Sequence, residues 1–354
     1  MADEIFFSES PEWYAKIGSI HALLERVKIS EEQNADVLRL RRLSRIMSIH
    51  SSTAIEGNRL SLAQVTAVLN GKRIFGPPKD IKEVQNAFAA YEQMSRYDPY
   101  SVRDLLKAHA LLTGSLIEES GRFRSVNVAV VSQNKVLHRG APPAEVPALV
   151  EQALRWGKTA GTHPLIKSSA LHYMLEHIHP FRDGNGRIGR LWQSLILSKW
   201  NSLFEWMPVE TLIHYNQAGY YKALQRSQTK LRVDARPFID FMLEIIENSL
   251  YQYIDAAAET QNVGVNVGVN VGVKKKILTY LKARPELSAR ELAALLKKTS
   301  RTVERHIKEL REQGVLRRAG SAKTGRWQII PNNNEKRTTL AARRNAHTAG
   351  NTVL

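Results

Sequence analysis

The chain has 354 residues, of which 43% are apolar, and its 51 Lys/Arg against 34 Asp/Glu give a formal net charge of +17. This length is typical of two domains with sizeable cores, and the absence of cysteine excludes a disulfide framework, a thiolate metal site and a cysteine nucleophile. The sequence has no signal-peptide pattern and no apolar run of the roughly 20 residues that a membrane span needs, so we expect a cytoplasmic protein without membrane contact.

Apolar residues spaced three and four apart predict a mostly helical structure over the first 270 residues. Ser61 and Gln64 form a capping box that opens one of these helices, and Gly71 ends it. Residues 126–137 are the exception, because their alternating valines predict a β-hairpin. The predicted helices cover residues 37–47, 62–69, 81–94, 102–112, 146–156, 165–177 and 188–200.

One polar pair follows the first of these helical stretches. Ser52 and Glu56 are four residues apart, so a helix places them on the same face. Gly57 follows directly, and one interpretation is an ordinary helix end with glycine as the left-handed residue. The other interpretation is a regulatory contact, and it depends on a second motif further along the chain.

That second motif is the segment HPFRDGNGRIGR at residues 179–190. His179 can accept a proton near neutral pH, and Asp183 is a hard oxygen ligand suited to Mg²⁺. The Gly-Asn-Gly turn that follows leaves backbone N–H groups available to an anion where a helix begins. Two arginines three residues apart then share one helix face over a phosphate-sized space. Together these groups predict phosphoryl or nucleotidyl transfer.

The segment matches the signature of the Fic (Fido) family, H-x-F-x-D/E-G-N-G-R-x-x-R, and the chain resembles that family over roughly residues 40–255. Fic proteins transfer AMP from ATP to a hydroxyl of a target protein. The resemblance implies that His179 deprotonates this hydroxyl, that Asp183 holds Mg²⁺ against the α- and β-phosphates, and that Phe181 anchors the loop in the core. The nucleotide-binding candidates are Asp183, Gly184, Asn185 and Gly186 at the α-phosphate, Arg187 and Arg190 at the β- and γ-phosphates, and Ile188 and Gly189 between them.

The segment from Ser52 to Gly57 resembles the family's inhibitory motif, S/T-x-x-x-E-G/N, in the class whose N-terminal helix carries it. The resemblance implies that Glu56 pairs with Arg190 and keeps the γ-phosphate from seating productively. Some family members also use this glutamate to position a water that removes AMP. Self-modification and removal of AMP are therefore further expectations.

Two other regions resemble family features. The hairpin at 126–137 resembles the flap that aligns a target segment with the motif histidine, and the alternative is a simple surface hairpin. Tyr220 and Gln228 resemble residues on the adenine side of the nucleotide. Tyr220 also fits a half-buried core position, and family members commonly carry Asn where Gln228 stands.

The C-terminal part of the chain carries most of the charge, since residues 274–354 hold 20 Lys/Arg against 6 Asp/Glu. Predicted helices at 274–283, 292–296 and 300–310, followed by strands at 315–318 and 326–330, resemble a winged helix-turn-helix. Such a module places the second helix of the turn pair, here the one at 300–310, in the DNA major groove, and the alternative is a protein contact or dimerisation. The candidate DNA contacts are Ser300, Arg301, Thr302, Arg305, Lys323 and Arg326.

The predicted fold is mainly α, with a helical Fic core that carries a β-hairpin flap, followed by a small α+β winged helix-turn-helix domain. The predicted divisions are an N-terminal helical region at 1–100 containing the inhibitory motif at 52–57, a catalytic core at 101–260, a linker of Asn-Val-Gly-Val repeats at 261–273, the winged helix at 274–331 and a disordered tail at 332–354.

The leading functional prediction is a self-inhibited protein adenylyltransferase that uses ATP and Mg²⁺ and modifies a Tyr, Ser or Thr hydroxyl. Two alternatives stay open. One is a DNA-binding regulator whose Fic domain senses a nucleotide, and the other is a related transferase that moves UMP, phosphocholine or phosphate. The expected partners are ATP, a target protein along the hairpin and DNA, with a homo-oligomer left open.

Overall fold

The computed structural model describes residues 7, 9–32, 36–132, 135–228, 234–262, 277–278, 280–281, 284–296, 299–312, 315–319 and 325–330. The chain forms two compact units, Met1–Gln261 and Asn262–Leu354. Among the described residues, no helix is both long enough and apolar enough to cross a membrane.

The first unit is built from helices, as the periodicity predicts. Its helices are α1 (Pro11–Glu32), α2 (Val37–Ile55), α3 (Leu62–Leu69), α4 (Pro78–Glu92), α5 (Val102–Thr113), α6 (Val146–Thr159), α7 (Pro164–Ile178), α8 (Asn185–Trp200), α9 (Val209–Tyr215), α10 (Gln217–Arg226) and α11 (Arg236–Asn262). The predicted capping box at α3 is confirmed, because the Ser61 side chain accepts the Gln64 N–H and the Gln64 side chain accepts the Ser61 N–H.

Helices α7 and α8 form the centre of this unit. Trp192, Leu191 and Leu171 on these two helices are fully buried, and Phe181 is buried in the loop that joins them. The surrounding core comes from apolar faces of α2 to α6. Because the 179–190 segment spans the junction between two central helices, its backbone is supported on several sides.

The hairpin prediction is confirmed, but its pairing begins later than residue 126. Strands β1 (Ala129–Ser132) and β2 (Lys135–Arg139) are antiparallel and form a two-stranded sheet. Val126 lies before the paired residues. Its carbonyl accepts a hydrogen bond from Arg124 Nη1 at 2.8 Å, so a side chain and not a partner strand holds it.

The second unit contains the predicted helix pair and wing. Helices α12 (Ala289–Leu296) and α13 (Ser300–Glu312) are followed by antiparallel strands β3 (Leu316–Ala319) and β4 (Arg326–Ile329). Residues 277–278 and 280–281 are also helical. A separate core supports this arrangement, and its buried side chains include Ile277, Leu281, Leu292, Val303, Ile307, Leu310, Leu316 and Trp327.

The division into domains stays a prediction, and α11 extends through Asn262, the second residue of the predicted linker. The segment before the repeat contains Ala256, Ala257, Ala258 and Glu259, which favour a helix, and the first glycine of the repeat comes only at Gly264. The rest of the predicted linker, the predicted tail at 332–354 and Lys323 lie outside the described residues.

Candidate functional site

His179 lies at the end of α7 and has its backbone in the left-handed region, with φ 54° and ψ 60°. The chain turns sharply there, and residues 180–184 lead into the start of α8. His179 Nδ1 lies 3.2 Å from the carbonyl oxygen of Glu176. A carbonyl can only accept, so Nδ1 carries the proton and Nε2 keeps its lone pair. Burial lowers the pKa of His179 to about 4, and the ring is therefore neutral at pH 7.

The loop after His179 is fixed by Asn185. Its side-chain amide donates to the Phe181 carbonyl at 2.8 Å and its Oδ1 accepts the Phe181 N–H at 2.9 Å. The resemblance implies an Asn185 contact to phosphate, whereas in this structure the side chain bonds to its own loop. This is the local side-chain to backbone bonding that Asn favours near helix starts. The first-turn backbone N–H groups of α8 are then the groups available to an anion.

His109 supports the same loop from α5. Its ring stacks on Phe181 with centroids 3.7 Å apart, and its Nε2 lies 2.9 Å from the Asp183 carbonyl oxygen. Nδ1 accepts the Gly121 N–H at 3.0 Å, so the proton of the neutral ring is on Nε2. His109 therefore donates to Asp183 and holds the backbone of the loop in place.

Arg190 and Glu56 form the predicted pair. Arg190 Nη2 lies 2.6 Å from Glu56 Oε1, and the arginine side chain is 1% exposed against 29% for the glutamate. Arg190 also donates from Nε to Ser52 Oγ at 3.2 Å and from Nη2 to the Ser52 carbonyl at 3.0 Å. Burial alone lowers the pKa of Arg190, but the charge and hydrogen bond of Glu56 outweigh burial and raise it.

The Glu56 carboxylate also lies directly over the first turn of α8. A methyl group added at Gly186 would collide with this carboxylate, so only glycine permits so close an approach. Gly57, with φ +94°, turns the chain away immediately after Glu56. A carboxylate at a helix N-terminus occupies the place where that helix end favours an anion.

Arg187 points to different partners from Arg190. Its Nη1 lies 2.5 Å from Glu83 Oε1 on α4, and its Nη2 lies 3.1 Å from Asp183 Oδ1. Arg187 is 4% exposed and Glu83 is 8% exposed. The sequence predicts both arginines over one phosphate-sized space, but only Arg190 is paired with Glu56 here.

Asp183 is suited to a divalent cation. Its side chain is 47% exposed, and its contacts to the Gly184 N–H and to Arg187 both involve Oδ1. Within the described residues, no three or more His, Asp or Glu side chains are grouped to hold a metal ion. A cation here would therefore take one carboxylate together with phosphates and waters, as Mg²⁺ commonly does.

Arg124 joins the hairpin region to the end of α7. Its guanidinium donates to the carbonyls of His179 at 2.7 Å, Val126 at 2.8 Å and Ile178 at 3.3 Å, and also to that of Ala141. The Ala141 N–H in turn donates to the Ile178 carbonyl at 3.1 Å. One buried guanidinium thus positions His179 relative to the chain on both sides of the hairpin.

Tyr220 lies beneath the site in a buried polar chain. Its hydroxyl is 3.1 Å from Glu176 Oε1 and 3.0 Å from His172 Nε2, and His172 Nδ1 is 2.6 Å from Gln193 Oε1. The Tyr220 hydroxyl donates to Glu176 Oε1, and burial raises the pKa of Glu176 to about 7. Tyr220 is 1% exposed, so its hydroxyl makes buried hydrogen bonds with these side chains and does not face the nucleotide site.

Three remaining candidates have packing or support roles. Ile188 is fully buried, and a Cβ added to Gly189 would press against the His172 ring, so both positions serve helix packing. Gln228 hydrogen-bonds through its side chain to His138, whose Nε2 lies 2.6 Å from the His177 carbonyl. Gln228 is thereby connected to the strand β2 that carries His138.

Buried histidines in this unit make the free energy of unfolding depend on pH. Burial lowers the pKa of His109 and of His179 to about 4, and it lowers the pKa of His172 to about 3. Between roughly pH 4 and 6.5 the unfolded chain binds protons that the folded protein excludes, so stability falls as the pH falls. Glu176 offsets the effect of one of these three histidines. Burial raises its pKa to about 7, so in this pH range the folded protein binds a proton there that the unfolded chain does not.

We therefore expect the free energy of unfolding to fall by about 2–3 kcal/mol per pH unit as the pH falls from about 6.5 to 4.5. Denaturant unfolding across this range measures the slope. His172→Gln, which cannot titrate, should reduce the slope by about 1.4 kcal/mol per pH unit relative to wild type. An unchanged slope in this variant would mean that His172 is not buried as a neutral ring.

The second unit presents a basic helix face. Arg301, Arg305 and Lys308 on α13 are exposed and recur at helical spacing, while Val303 and Ile307 are buried on the opposite side. Arg326 is exposed on β4, and Ser300 is exposed at the start of α13. Thr302 is partly buried, and its hydroxyl lies 2.9 Å from that of Thr299, which caps the helix.

Several supporting residues have no sequence signal. Glu83 and His109 lie far from the motif along the chain, and Glu176 and His172 are separated from Tyr220 by a long stretch of sequence. Arg124 lies in the Arg122-Phe-Arg segment that resembles the family's flap region, but the sequence does not indicate its contact with the His179 carbonyl. Lys308 continues the spacing of Arg301 and Arg305, so extending that helix face by one turn could have found it.

Comparison with known proteins gives two family matches, the Fic/DOC family at residues 99–197 and a winged helix-turn-helix DNA-binding family at residues 273–317. The chain is 29% identical over 252 residues to protein adenylyltransferase fic-1 of Caenorhabditis elegans. It is 28% identical over 256 residues to protein adenylyltransferase Fic of Culex quinquefasciatus. These alignments cover 67% and 69% of this chain but 46% of each relative, so the chain spans about half the length of the curated relatives it matches.

A solved structure is similar over nearly the whole chain. It is a Fic family protein from Desulfovibrio desulfuricans G20, with a TM-score of 0.67 and 35% sequence identity. The match covers 92% of this chain and 98% of that one.

Proposed function

Since this chain belongs to the Fic family, we propose that it transfers AMP from ATP to a hydroxyl side chain of a target protein and that Glu56 restrains this activity. The observation that carries the proposal is the junction of α7 and α8. There a neutral His179, the N-terminus of α8 and Arg190 come together, and Glu56 occupies the anion position.

His179 is the proposed general base. Its Nε2 lone pair is available because Nδ1 donates to the Glu176 carbonyl. The target hydroxyl oxygen attacks the α-phosphorus while its proton passes to Nε2. The bond between the α-phosphorus and the bridging oxygen breaks, and pyrophosphate leaves. A bound nucleotide adds negative charge near the ring, which raises the pKa of His179 towards a value suited to proton transfer.

The proposed phosphate site is the first turn of α8 with Arg190. The N–H groups and dipole of this helix end favour an anion, and a buried arginine binds phosphate through two parallel N–H groups. Asp183 would hold Mg²⁺, and the cation would supply positive charge that offsets the charge of the phosphates and of the departing pyrophosphate. Transfer of this kind depends mainly on positioning and electrostatic stabilisation, which these groups supply.

Glu56 is the proposed inhibitor. While it pairs with Arg190, that arginine is not available to the γ-phosphate, and the carboxylate stands over Gly186 where a phosphate would approach. The 29% exposure of Glu56 leaves room for it to swing away. The same carboxylate, near the site but released from Arg190, is suited to hold a water that removes AMP from a modified protein.

The hairpin is the proposed docking place for the target segment. Among the strands that the structure describes, β1 and β2 pair only with each other, so an extended segment can add alongside them through backbone hydrogen bonds. Arg124 fixes this region to the carbonyl of His179, which sets the distance between an added segment and the base.

Incubation with ATP labelled at the α- or the γ-phosphate tests the proposed reaction on the full chain carrying Glu56→Gly, in which the inhibitory carboxylate is removed, with self-modification as the readout. We expect covalent protein label from the α-position and none from the γ-position. Label from the γ-position would mean phosphorylation, and label from UTP or CDP-choline alone would mean a different transferred group. No label from any donor, together with tight DNA binding, would support a nucleotide-sensing regulator.

DNA binding by the second unit is a further proposal, carried by the basic face of α13. Phosphate contacts release counterions, so affinity should fall steeply as salt rises. We expect Arg301→Ala to weaken binding to a duplex of mixed sequence and to reduce the slope of log affinity against log salt by about 1. Fluorescence anisotropy with a labelled duplex measures both.

Arg155→Ala is the control for this measurement. It removes an exposed arginine from the first unit, where it pairs with Glu151, and should leave the slope unchanged. Binding that ignores salt, or no binding at low salt, would favour a winged helix used for protein contact.

A further inference from the structure

Glu83 uses both oxygens of its carboxylate at the edge of the site. Oε1 lies 2.5 Å from Arg187 Nη1, and Oε2 accepts the Asn58 side-chain N–H at 2.8 Å. Asn58 also donates to the Asp80 carbonyl at 3.0 Å, so it joins the segment after Glu56 to the first turns of α4. Glu83 is therefore held in one orientation towards Arg187.

Arg187 is shared between two carboxylates with different surroundings. Glu83 is 8% exposed, whereas Asp183 is 47% exposed. A buried arginine without a partner is strongly unfavourable, so Arg187 requires at least one close anion. Glu83 provides that anion from the protein interior. Asp183 is then not required to neutralise Arg187, and its carboxylate stays available to a cation.

We propose that Glu83 is a positioning residue that neutralises Arg187 and thereby leaves the Asp183 carboxylate free to bind the divalent cation of the nucleotide complex. This inference rests on the proposed function, because it assigns the cation to the ATP site. Arg187 Nη2 already contacts Asp183 Oδ1 at 3.1 Å while Glu83 holds Nη1. Without Glu83, Asp183 would be the one carboxylate left beside Arg187 among the described residues, and the cation would compete with the full charge of a buried guanidinium for it.

The test is nucleotide binding, measured by titration calorimetry with α,β-methylene-ATP in excess Mn²⁺ and, separately, in EDTA. The ratio of the two dissociation constants measures how much the cation contributes. Glu56→Gly is the reference protein, so that the inhibitory carboxylate does not interfere. We expect the added change Glu83→Gln to reduce the Mn²⁺ contribution by about 10-fold, since loss of a group that orients a metal ligand commonly weakens metal binding 10- to 100-fold. Affinity in EDTA should change little.

Two further variants separate this role from a general loss of structure. Glu92→Gln changes an exposed glutamate at the end of the same helix and should leave the ratio unchanged. Arg187→Met removes the competing guanidinium, so adding Glu83→Gln to it should no longer change the Mn²⁺ contribution. This pair of variants also gives a result if Glu83→Gln alone fails to fold because Asp183, which is half exposed, is then the one carboxylate left beside Arg187 among the described residues.

The outcomes are distinguishable from failure of the proposed function. Equal Mn²⁺ contributions in Glu56→Gly with and without Glu83→Gln would overturn the role of Glu83 while the nucleotide site stands. Glu83→Gln could also reduce the Mn²⁺ contribution by the same factor in proteins with Arg187 and with Arg187→Met. That result would overturn the role of Glu83 as well, because its effect would not depend on Arg187. If the Glu56→Gly reference binds no nucleotide in either condition, the proposed nucleotide site is wrong and this inference falls with it.

Discussion

Replacing Glu56 with glycine is expected to raise the rate of AMP transfer and of self-modification by about 10- to 100-fold. The contact that is removed is a charged hydrogen bond of 2.6 Å to a buried arginine, and such contacts contribute about 1.5–3 kcal/mol. Each 1.36 kcal/mol corresponds to a factor of ten in rate or population. Once the carboxylate is gone, Arg190 keeps only its bonds to Ser52 among the described residues and can turn to the γ-phosphate.

The measurement is the initial rate of α-phosphate label transfer at saturating ATP. Glu56→Gln is a matched variant that keeps the size of the side chain and loses its charge, so it should activate less than glycine does. Glu145→Gly removes an exposed glutamate before α6 and should leave the rate at the wild-type level. A Glu56→Gly protein that transfers AMP no faster than wild type would remove the inhibitory role from this residue.

Much of the fold could be predicted because its signals are local. The capping box of Ser61 and Gln64 involves residues three apart, and it is present. Glu56 and Arg190 lie 134 residues apart, yet each belongs to a short motif that the family resemblance pairs. Long-range contacts of this kind are predictable only where both ends carry a recognisable pattern.

The supporting contacts of the site could not be predicted, because nothing near them in the sequence marks them. Glu83 stands on an amphipathic helix like any surface glutamate, and only the packing of α4 brings it to Arg187. Asn185 shows the opposite case, a motif residue whose side chain turns to its own loop. Local bonding to Phe181 satisfies both of its polar groups, and the sequence alone does not choose between that arrangement and a phosphate contact.

His179→Ala is expected to lower the rate of AMP transfer by about 10²- to 10⁴-fold, the range that a general base contributes. The change is best made in the Glu56→Gly protein, where the starting rate is high enough to follow the loss. Nucleotide affinity should stay within about 2-fold, because the proposed phosphate contacts come from α8 and not from the imidazole. Label transfer and calorimetric binding of α,β-methylene-ATP, measured on the same preparation, separate the two effects.

His21→Ala is the control, since this histidine is exposed on α1 and has no proposed part in the reaction. A loss of nucleotide affinity in His179→Ala equal to the loss of rate would mean that the ring supports the binding site and does not act as the base. A full rate in this variant would place the base elsewhere. His138 would then be the next residue to test, because its ring centroid lies 6.2 Å from that of His179 and burial also keeps it neutral by lowering its pKa. The tautomer of His179 argues against that outcome, since its Nδ1–H is held by the Glu176 carbonyl and its Nε2 is left to accept the proton.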